Sequence, residues 1–125
     1  LEHSRIAGVL DWELATVGDP LMDLGSALAY WVDHDDEPGF AALRRQPSHL
    51  PGMPTREQFV AKYLQLSGRK CDDFTFYEVF GLFRLAVIIQ QIWARYSAGQ
   101  TTNPAFAGFG EAVNTLINRA EGKIA

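Results

Sequence analysis

Cysteine is nearly absent from this 125-residue chain: Cys71 is the only one, so no internal disulfide can form. It stands between Lys70 and Asp72 at an expected helix start, where a thiol pKa can fall, but a bystander thiol in a reducing compartment is the favoured reading. Basic residues are in deficit, 11 Lys and Arg against 15 Asp and Glu, for a formal charge of −4. That balance argues against a nucleic-acid partner, which normally requires a basic footprint. Long apolar runs are missing as well. Those present read as too short and interrupted for a membrane span, and no secretory leader opens the sequence, so a cytoplasmic protein is expected. An initiator methionine is also lacking, and Leu1 lies within a few residues of an apolar stretch. So abrupt an opening predicts a fragment.

What is there is globular. Hydrophobic residues make up 47% and charged residues 21%, enough for one core. Arg5-Ile6-Ala7-Gly8-Val9-Leu10 is short and apolar and reads as a buried strand ending at Asp11. After a turn through Thr16-Val17-Gly18, Asp19-Pro20 predicts a helix start, with Asp19 as cap and Pro20 in the first turn. Leu21, Leu24, Leu28 and Trp31 give that helix a buried face. Residues 33–54, with four prolines and two glycines, predict an irregular excursion with a helical turn near Phe40 to Arg45. Thr55-Arg56-Glu57-Gln58 predicts a capping box, Phe59, Tyr63, Leu64 and Leu66 an apolar face, and Gly68 a stop.

The longest helix is expected from about Asp73 to Ala98, closed by Gly99. Its middle, Val79 to Ile89, is apolar on nearly every side apart from Gly81 and Arg84, which predicts a central helix. Arg84, Gln91 and Arg95 form one narrow polar stripe on it. A last helix is expected from about Pro104 to Ala120, with Phe106, Phe109, Val113, Leu116 and Ile117 inward. The sum is one strand and about five helical segments. A lone strand leaves its backbone groups unsatisfied, so a partner strand before Leu1 is expected.

The stretch Val9 to Leu24 carries the chemistry. It sets the Asp11 carboxylate at the end of an apolar segment, beside a turn, where rigid scaffolds deliver functional groups into clefts. Magnesium takes hard oxygen ligands, usually one or two protein carboxylates plus substrate phosphates, so one aspartate is a sufficient share. The pattern Leu10-Asp11-Trp12-Glu13, then Gly18-Asp19-Pro20, then Asp23-Leu24 resembles the metal-binding segment of aminoglycoside-phosphotransferase-like kinases. Phe80 to Ala86, continuing to Tyr96, and Gln58 to Tyr63 resemble the phosphotransferase-like domains related to those fused to some acyl-CoA dehydrogenases. The resemblance runs from about Ile6 to Tyr96.

The resemblance implies a mainly α fold: the helical C-lobe of a protein-kinase-like (α+β) fold, with one short N-terminal β-strand left from the lobe's hairpin. Residues 1–125 would be a single partial domain without the N-lobe and catalytic loop. Asp11 would ligate the Mg2+ that bridges ATP phosphates, with Glu13 a lesser candidate. Trp12 would pack under the metal site, and Asp19 and Asp23 would brace the loop. Capping alone accounts for Asp19, and the positive helix end for Asp23. Buried Arg84 is expected to pair with a carboxylate such as Asp23; the sharper alternative has Arg84, Gln91 and Arg95 docking an anionic substrate.

The family's His-Gly-Asp base segment occurs nowhere in the chain. One aspartate cannot replace the joint positioning and charge neutralisation that phosphoryl transfer needs, so the chain is expected to be silent alone. The expected function is part of an ATP- and Mg-dependent phosphotransferase acting on a small-molecule hydroxyl, such as a hydroxyacyl-CoA or an aminoglycoside. The competing classes are a non-catalytic kinase-like binding or assembly module, and a plain helical scaffold with Asp11 as a turn residue. The run His34-Asp35-Asp36-Glu37 is read as a solvated loop rather than a metal site. Apolar surface left uncovered by a missing part predicts self-association.

Overall fold

In the computed structural model, residues 5–125 are described, and they form five α-helices joined by turns. These are α1 (Pro20–Leu28), α2 (Pro38–Ala41), α3 (Arg56–Ser67), α4 (Thr75–Ser97) and α5 (Phe109–Ile124), with 3-10 turns at Trp12–Leu14, Pro47–His49 and Pro104–Phe106. No strand occurs among the described residues. The expected strand at Arg5–Leu10 is instead an exposed, irregular segment. The reason lies in backbone hydrogen bonding: a strand needs a neighbour for its N–H and C=O groups, and no other described segment is extended beside it.

The helix boundaries follow from local chemistry. Asp19 accepts a hydrogen bond from the Leu21 amide at 3.0 Å and Pro20 begins α1, as the sequence predicts. The Thr55–Gln58 capping box opens α3 with both reciprocal bonds formed, and Gly68 closes it at φ 68°. Leu66, assigned to the apolar face, is exposed; Phe59, Val60, Tyr63 and Leu64 pack inward instead. The excursion holds its helical turn at Pro38–Ala41, slightly earlier than expected. Asn103 caps only a short 3-10 turn through Ala105 N–H at 3.0 Å, and the last helix starts afresh at Phe109 and runs on to Ile124.

Helix α4 is the axis of the fold, with α1 and α5 packed along it. Where α1 meets α4 the backbones touch. A Cβ on Gly25 would collide with the Tyr77 carbonyl, and one on Gly81 with the Gly25 carbonyl. Glycine at both positions is therefore required by approach. One core cluster joins Ala29, Val32, Phe40, Leu82, Leu85, Ala86, Leu116 and Ala120. A second gathers Leu21, Leu24 and Leu28 under Trp31, Phe59 and Tyr77.

The expectation that α4 is enclosed on nearly every side holds for two sides only. Phe76, Phe83 and Val87 share an exposed face. Arg84, expected to be buried and paired, is also exposed, and it forms no ion pair among the described residues. By length and composition α4 could cross a membrane, contrary to the reading of its apolar run as too interrupted. It packs along α1 and α5, with Gly81, Leu82, Leu85 and Ala86 buried.

The proline-rich excursion is anchored by polar contacts. Ser48 Oγ accepts from Val32 N–H at 3.0 Å and donates to Val32 C=O at 2.9 Å. Asp36, read from sequence as part of a solvated run, lies between two arginines. Arg56 meets it at 2.6 and 2.7 Å, and Arg119 of α5 at 2.7 Å. Both guanidinium groups lie over the Phe40 ring, at 5.6 and 4.1 Å from its centroid.

Candidate functional site

Asp11 is the only non-glycine residue in the left-handed region among the described residues, at φ 68° and ψ 50°. Aspartate tolerates this conformation better than most side chains, and residues held there cluster at functional turns. The chain then winds through the 3-10 turn, closed by the Ala15 amide on the Trp12 carbonyl at 2.9 Å. Asp11 and Glu13 are exposed. Both offer hard carboxylate oxygens to solvent, the donor type that magnesium takes.

Trp12 follows Asp11 at the start of the 3-10 turn. The residue is 67% exposed, and its Nε1 donates to the Val9 carbonyl at 2.7 Å. The bond fastens the ring to the segment before Asp11 rather than to the core.

The loop ends at Asp19, which does more than cap. While Oδ1 accepts from Leu21, Oδ2 accepts from the Tyr77 hydroxyl on α4 at 2.8 Å. The Leu21 amide first, and then Tyr77, hold the Asp19 carboxyl below its ordinary range; the same bond to Asp19 pushes the Tyr77 hydroxyl up. Asp23 lies in the first turn of α1, exposed, where its charge favours the positive helix end.

Asp11, Trp12 and Glu13 are thus contiguous on one exposed turn, and Asp19 links that turn to α4. Arg84, Gln91 and Arg95 share an exposed stripe on α4. No hydrogen bond among the described residues joins that stripe to the turn. The run His34 to Glu37 is drawn away from metal chemistry, because both Asp36 oxygens and Glu37 Oε2 are engaged by arginines.

Sequence reasoning missed two participants. Tyr77 left one signal, a phenol on an inward helix face, which needs a partner for its hydroxyl. The pairing of Arg119 with Asp36 and Glu37 spans more than eighty residues of sequence, and no local pattern announces it.

Comparison with known proteins bears on the same segment. The sequence profile of the phosphotransferase enzyme family matches residues 1–60. Acyl-CoA dehydrogenase family member 10 of Mus musculus is 32% identical over 121 residues, covering 95% of this chain and 11% of that protein. Family member 11 of Mus musculus is 32% identical over 109 residues, 82% of this chain and 13% of its own length. The Homo sapiens family member 11 is 29% identical over 121 residues, 92% and 15% respectively. The chain therefore spans a small part, 11% to 16%, of the curated relatives it matches. No solved structure matches at a significant level. The match to the phosphotransferase enzyme family over residues 1–60 takes in the Asp11 turn and capped α1, and along most of its length the chain is similar to acyl-CoA dehydrogenase family members.

Proposed function

We propose that this chain is the metal-binding and substrate-docking portion of an ATP- and magnesium-dependent phosphotransferase, cytoplasmic, which alone transfers no phosphate. The observation that carries the reading is Asp11, an exposed carboxylate held at φ 68° within the family-matched segment. Asp11, with Glu13 in reserve, is the share of a Mg2+ site that this chain contributes. Asp11, with Glu13, would hold the ion, which would supply charge neutralisation at the phosphates of ATP. Asp19 fixes the far end of the turn by capping α1. Asp23 supports that helix start, and Trp12 steadies the near end through Val9.

Residues 1–125 form one partial domain, and the base that accepts the hydroxyl proton belongs to a His-Gly-Asp segment that this chain does not contain. The acceptor is a small-molecule alcohol. The similarity to acyl-CoA dehydrogenase family members favours a hydroxyacyl-CoA over an aminoglycoside. The exposed cations Arg84 and Arg95, with Gln91 between them, suit an anionic carrier such as CoA.

The test is phosphate transfer from ATP by the full-length protein to a panel of hydroxyacyl-CoA thioesters and aminoglycosides. Asp11→Asn is expected to lower kcat/KM by roughly 100-fold or more. The 125-residue chain assayed alone is expected to give no transfer. An Asp11→Asn enzyme within about twofold of the parent would remove Asp11 from the metal site. Substrate binding without transfer in the full-length protein would favour the non-catalytic module.

A further inference from the structure

Residues 11–13 and 15–19 are exposed, and among the described residues the hydrogen bonds between Asp11 and Asp19 are local ones. Asp19 is therefore the first point after Asp11 at which a side chain ties this segment to another helix. That tie is Tyr77, 58 residues away in sequence, whose hydroxyl donates to Asp19 Oδ2 at 2.8 Å. Because Asp19 Oδ1 is already bound by Leu21 N–H, one carboxylate joins the start of α1 to α4.

Tyr77 meets α1 a second time through its backbone, since the Cβ that Gly25 lacks would fall on the Tyr77 carbonyl. One residue of α4 thus contacts α1 both at its cap and further along. Two separated contacts fix an orientation as well as a distance. The Tyr77 ring has ordinary apolar neighbours, Phe74 and Phe76, each with its centroid 5.3 Å away. Phenylalanine would fill the same space, which leaves the bond to Asp19 as the function of the hydroxyl.

We propose that Tyr77 is a positioning residue for Asp11: by holding Asp19 it sets where the exposed turn at 11–18 sits relative to α4, and so the affinity of that turn for a divalent cation. The inference rests on the reading of Asp11 as a metal ligand. Asp19, with its carboxyl held down first by Leu21 and then by Tyr77, remains an anionic acceptor at neutral pH. The turn therefore keeps its tether under the conditions in which a phosphotransferase works.

The experiment is a Mn2+ titration of the full-length protein followed by electron paramagnetic resonance, with Tyr77→Phe and Asp11→Asn run beside the parent. Amide hydrogen exchange is measured on the same samples. Tyr77→Phe is expected to weaken Mn2+ binding about fivefold, the scale of one lost hydrogen bond. Exchange should quicken at residues 12–21 while α3 and α5 keep their protection. If Asp11→Asn abolishes Mn2+ binding and Tyr77→Phe leaves it unchanged, Tyr77 has no positioning role and the metal reading stands. If the parent and Asp11→Asn titrate alike, the metal reading fails; the link from Tyr77 to cation affinity then falls with it, whatever the exchange data give. Faster exchange spread through all helices would mark Tyr77 as structural only and also overturn the inference.

Discussion

Asp36 shows how a single side chain can organise a loop. Its side chain is 5% exposed, and it receives both Arg56 and Arg119, so three segments distant in sequence meet on one carboxylate. Burial pushes this carboxyl up, but hydrogen bonds from Arg56 and the Asp33 amide, with the arginine charges, outweigh it and hold the group below its ordinary range. Without Asp36, Arg56 keeps only Asp33 and Arg119 only Glu37, so two largely buried guanidinium groups are less fully compensated. Asp36→Ala is expected to cost about 3 kcal/mol in urea unfolding. Because the folded pKa is depressed, this contribution is present above the ordinary carboxylate value of 3.8 and is lost as pH falls through the lower folded value. Asp19 and Asp73 shift in the same direction and add to that loss. The urea midpoint should stay flat from neutrality to about pH 5 and drop below the carboxylate range, less steeply in Asp36→Ala.

At the level of helices, the contact of α1 with α4 depends on two missing side chains. Gly25 and Gly81 let the backbones meet, and an added methyl at either position runs into a carbonyl that cannot rotate away. Either glycine changed to alanine should destabilise the protein by about 3 kcal/mol or more, read as a fall in Tm. Gly122 is the internal control. It lies exposed near the end of α5, where a methyl group would meet no atom within 4 Å, so Gly122→Ala should stabilise by roughly 0.5–1 kcal/mol. Periodicity located α1 and α4 well, because caps and apolar spacing are local properties. It did not reveal that the two glycines face one another, nor that the polar stripe of α4 turns to solvent.

The whole molecule leaves a good deal of apolar surface uncovered. Ile6, Val9, Leu10, Trp12 and Val17 are exposed in the first segment, and Phe76, Phe83 and Val87 on α4. Scattered apolar residues are ordinary on protein surfaces; rows of them along one segment and one helix face favour association. The chain should form dimers or larger species at micromolar concentration by light scattering. Phe83→Lys combined with Val87→Glu should shift it toward monomer. A parent sample that is monomeric throughout would count against this face as a contact surface.

By itself the sequence determined the helix starts at Asp19 and Thr55, the stops at Gly68 and Gly99, the long apolar α4, and the resemblance of the Asp11 segment to phosphotransferases. Each of these depends on residues within a few positions of one another. Tertiary structure alone decided that Arg5–Leu10 has no strand neighbour among the described residues, that Arg84 is solvated, that Asp36 is clasped by two arginines, and that Tyr77 holds Asp19. The last two join residues 20 to 83 positions apart, and only the packing of the helices on one another brings such residues within hydrogen-bonding distance, as it alone decides which side chains face solvent.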